Sequence, residues 1–181
     1  MDKDLECYQR YLEGDETGIE KLLDRYGKRL IVFIYRYVRD ESLAEELMED
    51  TFCDIILKGG FSAASSFKTY LYAIAKNKAY SELRLRSRFA DADDSIIDLA
   101  CGCEDNIADK ERARAIYDLM QKLKRDHRTV LYLLYYEDMS YKEAARVMKR
   151  TEGQIKSLAF RAKGSMRAIM EKEGLTYEEL I

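Results

Sequence analysis

Residues 140–167 read SYKEAARVMKRTEGQIKSLAFRAKGSMR. Ser140-Tyr141-Lys142-Glu143 fits a capping box, in which Ser140 accepts from one backbone N–H at a helix start and Glu143 reaches back to another. Thr151-Glu152-Gly153-Gln154 repeats the device 11 residues later. Helix starts this close predict a first helix of about two turns, a tight turn and a longer second helix, which is the spacing of a helix-turn-helix. The second helix carries the apolar stripe Ile155, Leu158, Ala159, Ala162, Met166 and Ile169. Thr151, Gln154, Lys156, Ser157, Phe160, Arg161 and Lys163 fall outside that stripe. From Lys142 to Arg167 there are eight basic residues and two acidic ones. A helix that buries one face and shows Lys, Ser and Arg on the other suits a DNA major groove. An ordinary helical hairpin with a solvated basic face has the same pattern.

Working outward, the chain of 181 residues has 31 Lys+Arg against 34 Asp+Glu, a net charge of −3. That average argues against a simple basic nucleic-acid binder, but it hides the distribution. Residues 1–90 hold 15 basic and 16 acidic residues, residues 91–111 hold one and eight, and residues 112–181 hold 15 and 10. The chain reads as two blocks, 1–90 and 112–181, joined by an acidic linker at 91–111 that has turn residues and no sustained periodicity. With 47% hydrophobic and 36% charged residues the blocks are expected to fold. There is no proline to interrupt a helix. No apolar run is long enough to span a bilayer, so no membrane insertion is expected, and the start lacks a secretory apolar region. Four cysteines (Cys7, Cys53, Cys101, Cys103) are too sparse for a disulfide framework, so the expected compartment is a reducing cytoplasm.

Both blocks read as helical, so the fold class is all-α, two small helical domains. In the first, Leu23, Tyr26, Leu30, Phe33, Ile34 and Tyr37 recur at helical spacing. Ala44, Leu47, Met48, Thr51, Phe52, Ile55 and Ile56 form a second stripe, stopped by Gly59-Gly60. Phe61 to Ser66 reads as a loop, and a third helix is expected from about Phe67 to Arg88. In the second block helices are expected at about 109–123, 126–136, 140–148 and 151–172. Asp40 to Asp54 contains seven acidic residues and no basic one, which fits either a solvated face or a basic protein partner. Lys76 to Arg88 has five basic residues and one acidic one, interleaved with Asn77 and Tyr80. Such a stripe can meet phosphates and stack on unpaired bases, although tyrosines at this spacing more often sit in a core.

Chemistry of other kinds finds little support. Cys101-x-Cys103 lacks the paired spacing of a structural zinc site. His127, the only histidine, offers neither a His-rich metal site nor a Ser–His pair, and an exposed or capping role is expected for it. Gly59-Gly60 is not followed by the Lys-Ser/Thr of a phosphate-binding loop. No catalytic residue, metal or cofactor is expected, and the chain does not read as an enzyme.

Three stretches resemble one family. Glu45-Glu46-Leu47-Met48-Glu49-Asp50-Thr51-Phe52 is similar to the core-binding helix of group IV (extracytoplasmic function, ECF) sigma factors of the sigma-70 family. Ser66-Phe67-Lys68-Thr69-Tyr70-Leu71-Tyr72-Ala73-Ile74-Ala75-Lys76-Asn77 resembles their promoter-melting, −10-reading helix. Ser140 to Ala145, Gly153 to Ser157 and Arg161-Ala162-Lys163 resemble their −35-reading helix-turn-helix. The three fall in the family's order, with the acidic linker between the second and the third. The resemblance implies a sigma region 2-like bundle over 1–90 and a region 4-like helix-turn-helix over 112–181. It implies a specificity subunit that carries RNA polymerase core to promoter DNA and helps melt the −10 region, with no covalent chemistry of its own.

By the same resemblance, Glu45, Glu46, Met48, Glu49, Asp50 and Phe52 would meet the β′ clamp helices, and region 4 the β flap. Phe61, Ser62, Ser65, Ser66, Lys76, Asn77, Tyr80, Arg84 and Arg88 would hold the −10 element. Thr151, Gln154, Lys156, Ser157, Phe160, Arg161 and Lys163 would face the −35 element. An anti-sigma factor is a further partner that such a family implies. The chain departs from the family at Tyr70 (commonly Trp), Lys124 (commonly Pro), Lys149 (commonly Gly) and Arg150 (commonly apolar). A non-glycine at the turn position adds about 1 kcal/mol if φ is positive. The alternative, a helix-turn-helix regulator acting without core polymerase, explains the second block but leaves the acidic helix and the first basic helix without a purpose.

Overall fold

The computed structural model of the chain describes residues 3–61, 65–86, 116 and 118–174. The chain divides into two compact units, Met1–Leu99 and Ala100–Ile181. The described residues contain helices and turns and no strand. Most of the expected linker, and most of the helix expected at 109–123, lie outside them; of the latter, residues 118–121 are helical.

The first unit packs four helices, α1 (Lys3–Leu12), α2 (Thr17–Val38), α3 (Glu41–Lys58) and α4 (Phe67–Arg86). Helix α2 ends where Arg39 turns left-handed at φ +57°. Asp40 then caps α3 by accepting from the Leu43 N–H at 3.1 Å. The apolar stripes of α2, α3 and α4 converge, burying Leu22, Leu30, Phe33 and Ile34 against Leu47, Phe52, Ile55, Leu71 and Tyr72. The stripe on α2 starts one residue earlier than its spacing suggested: Leu22 is buried, whereas Leu23 is 42% exposed. Ile56 likewise faces out at 40%.

Helix α1 has no counterpart in the sequence reading. It is short and mostly polar, and polar contacts hold it. The Asp4 carboxylate, 8% exposed, accepts from the Arg25 guanidinium and the Tyr26 hydroxyl. Tyr8 packs on Phe67 with ring centroids 5.5 Å apart. Helices α1 and α2 touch so closely at Gly18 that a Cβ there would lie 2.2 Å from the Cys7 carbonyl oxygen.

The second unit contains α5 (Arg125–Leu131) running into a π-helical turn (Tyr132–Tyr136), then α6 (Tyr141–Met148) and α7 (Glu152–Glu173). Leu119, Val130, Leu133, Ala144, Val147, Ile155, Leu158 and Ala162 form its core. Buried Arg128 donates to the carbonyl oxygens of Gln121 at 3.3 Å and Leu123 at 3.2 Å, which closes the turn ahead of α5. No helix among the described residues is long and apolar enough to cross a membrane.

Candidate nucleic-acid interface

Helix α7 begins with the expected capping box. The Thr151 hydroxyl accepts from the Gln154 N–H at 3.2 Å, and Gln154 Oε1 accepts from the Thr151 N–H at 2.9 Å. Two residues expected at the −35 DNA thus first serve to start the helix. The Gln154 amide NH2 is left as a donor. Ile155, Leu158, Ala159 and Ala162 turn inward, while Lys156, Ser157, Phe160, Arg161 and Lys163 stay outside, with Phe160 80% exposed. Lys156 pairs with Glu152 at 2.8 Å one turn back. Their hydrogen bond and mutual attraction hold the Glu152 carboxyl below its ordinary range and the lysine above. Arg161 Nε donates to the Ser157 carbonyl at 3.4 Å. All seven expected −35 residues therefore share one helix and its cap.

The turn that aims α7 departs from the ordinary pattern in a legible way. Helix α6 starts on its own capping box, Ser140 with Glu143. It ends at Lys149, whose φ of +53° is left-handed, so the non-glycine there does carry the strain its position suggested. Arg150, where an apolar residue is common, instead pairs with Asp126 of α5 and ties the turn to that helix. His127, on α5, is neither exposed nor a cap. It is half-buried with Nδ1 shielded from solvent, and burial, then Arg161 and Lys124, push its pKa down.

On the first unit, α4 presents Asn77, Ser81 and Arg84 as an exposed stripe. Ser81 was missed, although it sits at helical spacing between two expected residues. Lys76, expected at the −10 strand, is only 8% exposed, and its ammonium lies 4.9 Å from the centre of the Tyr80 ring. Tyr80 is half-buried and packs on Tyr37 at 5.4 Å. Ser66 is occupied as the cap of α4: its hydroxyl accepts from the Thr69 N–H at 3.3 Å and lies 2.8 Å from the Thr69 hydroxyl. Phe61 and Ser65 are half-buried at the ends of the loop. Phe61 sits in an aromatic cluster with Tyr8, Phe67 and Tyr70, and Tyr70 donates its hydroxyl to the Gly59 carbonyl at 2.9 Å. Ser62 and Arg88 lie outside the described residues.

Helix α3 shows Glu45, Glu46, Glu49 and Asp50 to solvent. Asp50 is partly engaged, 3.5 Å from Lys78 of α4, which also reaches Asp54 at 3.2 Å. Met48 and Phe52 correct the expectation for this face. They are 9% and 4% exposed, packed in the core, and a partner reaches neither without unpacking the helix. Their contribution is to fix which way the carboxylates point. The face continues into Cys53, Ile56 and Leu57, the last 81% exposed, which the sequence reading did not assign. Cys7 and Cys53 are free thiols. No group of His, Cys, Asp and Glu that could hold a metal occurs among the described residues, while Cys101 and Cys103 lie outside them.

Comparison with known proteins places these faces in context. Residues 22–89 match the family model for Sigma-70 region 2, and residues 113–166 that for Sigma-70, region 4. The RNA polymerase sigma-H factor of Pseudomonas aeruginosa is 28% identical over 177 residues, covering 90% of this chain and 91% of that protein. The RNA polymerase sigma factor CarQ of Myxococcus xanthus is 27% identical, covering 90% and 94%. The ECF RNA polymerase sigma factor SigM of Bacillus subtilis is 24% identical, covering 85% and 96%. Among solved structures, CnrH in complex with the cytosolic domain of CnrY has a TM-score of 0.70 at 20% identity, covering 94% of this chain and 99% of that one. The sigma factor RpoE in complex with the anti-sigma factor NepR from Bartonella quintana has a TM-score of 0.65 at 23% identity, covering 84% and 96%. At these identities the structural likeness speaks for the fold.

Proposed function

The chain belongs to the sigma-70 family, in its extracytoplasmic-function group, and is an RNA polymerase sigma factor; we propose how its faces divide that work. Helix α7 reads the −35 element through Lys156, Ser157, Phe160 and Arg161, with Gln154 and Lys163 at the edges. Helix α4 carries Asn77, Tyr80 and Arg84 to the melted −10 strand, with Arg88 beyond it, and the loop that opens at Phe61 receives an unstacked base. The carboxylates of α3 dock on the β′ clamp helices of core polymerase. An anti-sigma factor is a fitting regulator, since structures of similar fold were solved with such partners. The protein works in the cytoplasm and catalyses no reaction itself.

The observation that carries this reading is the recognition helix itself. Its inward positions are all apolar and buried, and its outward ones are cationic, hydroxyl-bearing or aromatic. Phosphate contacts position such a helix, and base-edge contacts specify the site. An Arg–guanine pair discriminates by about 1–3 kcal/mol. Capturing an extruded base costs a few kcal/mol, offset by stacking and cation contacts on the freed strand.

Run-off transcription with core polymerase and promoters varied at −35 and −10 tests the division. Arg161→Ala should weaken −35-dependent transcription about tenfold or more and leave holoenzyme formation intact. Changing Glu46 and Glu49 to Lys should do the reverse. A wild-type chain that does not bind core polymerase, or an Arg161 variant that loses core binding equally, would sink the reading.

A further inference from the structure

Lys163 is not alone at the outer face of α7. Its ammonium lies 4.9 Å from the ring centre of Tyr135, a residue that neither the −35-like motif nor the helical stripes picked out. Tyr135 is 55% exposed and stands in the π-helical turn that leads into the helix-turn-helix. That turn is firmly held. The Glu137 N–H bonds to the Tyr132 carbonyl at 3.0 Å, Tyr132 is buried, and its hydroxyl donates to Glu137 at 2.9 Å. Tyr132 also stacks on Tyr136 at 4.8 Å. Local π turns often accompany functional sites, and this one keeps a large ring in water beside a cation.

On α7, Lys156, Phe160 and Lys163 recur at one-turn intervals and form a single exposed stripe. Lys156 has a ring of its own, Tyr141 of α6, 5.8 Å away. Tyrosines from two other elements therefore stand at the two lysines of this stripe, with Phe160 between those lysines. Each pair orders a lysine that would otherwise lose its rotamer freedom on binding. The net +6 from Lys142 to Arg167 selects a polyanion as occupant. Tyrosine hydroxyls and lysine ammoniums are ordinary phosphate donors.

We propose that Tyr135 is a DNA-backbone contact: its ring steadies Lys163, and its phenol donates to a phosphate flanking the duplex that α7 reads. The proposal rests on α7 being the −35 helix, and it adds a residue outside that motif. Contact with phosphate rather than with a base predicts an effect independent of −35 sequence.

The test uses holoenzyme assembled from the full chain and core polymerase, with binding to promoter duplex measured across a salt series. Tyr135→Ala should weaken binding about threefold to tenfold, by the same factor on several −35 sequences. The slope of log affinity against log salt should become shallower by up to about one. Tyr135→Phe, which keeps the ring, should lose about twofold to threefold. The double variant with Lys163→Ala should lose less than the product of the two single losses. Unchanged affinity and slope in Tyr135→Ala would overturn the proposal, as would a loss confined to one −35 sequence or wild-type affinity in Tyr135→Phe. A loss of core binding in place of DNA binding would overturn it too, by making the polymerase the occupant. Wild-type holoenzyme without −35 dependence would instead refute the reading of α7. Thermal unfolding of each variant keeps the comparison clean, since the side chain is exposed and outside the core.

Discussion

Replacing Lys149 with glycine should stabilise the second unit. Lys149 sits at φ +53°, ψ +48°, in the turn between α6 and α7. A side-chain-bearing residue there brings Cβ against the following carbonyl, at a cost of about 1–2 kcal/mol. Glycine removes that strain but adds freedom to the unfolded chain, which takes back about 0.5–1 kcal/mol. Nothing else changes, because the Lys149 side chain is exposed and its N–H bonds to the Ala145 and Arg146 carbonyls survive the substitution. The net expectation is a gain of about 0.5–1 kcal/mol, or about 2–8 °C in Tm for a unit of this size. Differential scanning calorimetry, following the transition of the second unit, measures it. Lys149→Ala is the control: it keeps the Cβ, and so should move Tm little. If the alanine variant matched the glycine variant, left-handed strain would not be the cause, and the reasoning would fail.

Three further outcomes are expected in the first unit. Gly18→Ala places a Cβ against the Cys7 backbone, so α1 must move off α2 at a cost of about 1–3 kcal/mol or more; limited proteolysis should then cut within the first 20 residues, and wild-type resistance would contradict the close approach. Tyr70→Phe deletes the bond to the Gly59 carbonyl and should lower stability by about 1 kcal/mol in urea unfolding, an unchanged midpoint ruling the bond out as a support for the loop. Asp40 is held below the ordinary carboxylate range by the Leu43 N–H and then by Arg86. Its contribution is therefore present above the unfolded pKa of about 4 and is lost as pH falls through the lower folded value. Asp40→Asn keeps a cap but cannot titrate, so its unfolding midpoint should fall less than wild type below about pH 4; parallel profiles would show that Asp40 adds nothing to acid sensitivity.

The parts of the molecule that were legible in advance are those where local chemistry and tertiary packing agree. Both capping boxes, the stripe of α7 and the end of α3 at Gly59 follow from residue spacing alone, and the structure has them. Helix α1 was not legible, because an aspartate paired to α2 and a close approach at Gly18 hold it, neither of which leaves a periodic signal. Lys76 looked like a strand-binding cation because composition cannot show that its ammonium lies over Tyr80. Ser66 looked like part of a base-holding loop when its hydroxyl was the start of α4. Met48 and Phe52 sit among carboxylates in the chain but inside the bundle in space. A motif marks a segment as functional, and burial decides which of its side chains meet a partner.

The family resemblance over the first unit begins at residue 22, whereas packing begins at Lys3. A fragment cut to that family boundary would lack Asp4 and Tyr8. It would leave Arg25 without its carboxylate and open one side of Tyr26 and Phe67 to water. Because Phe61 shares the cluster with Tyr8 and Phe67, the damage would reach the loop after α3, some fifty residues along the chain. The evolutionary module and the folding module thus have different edges here, and it is the folding edge that an experiment on the isolated unit has to respect.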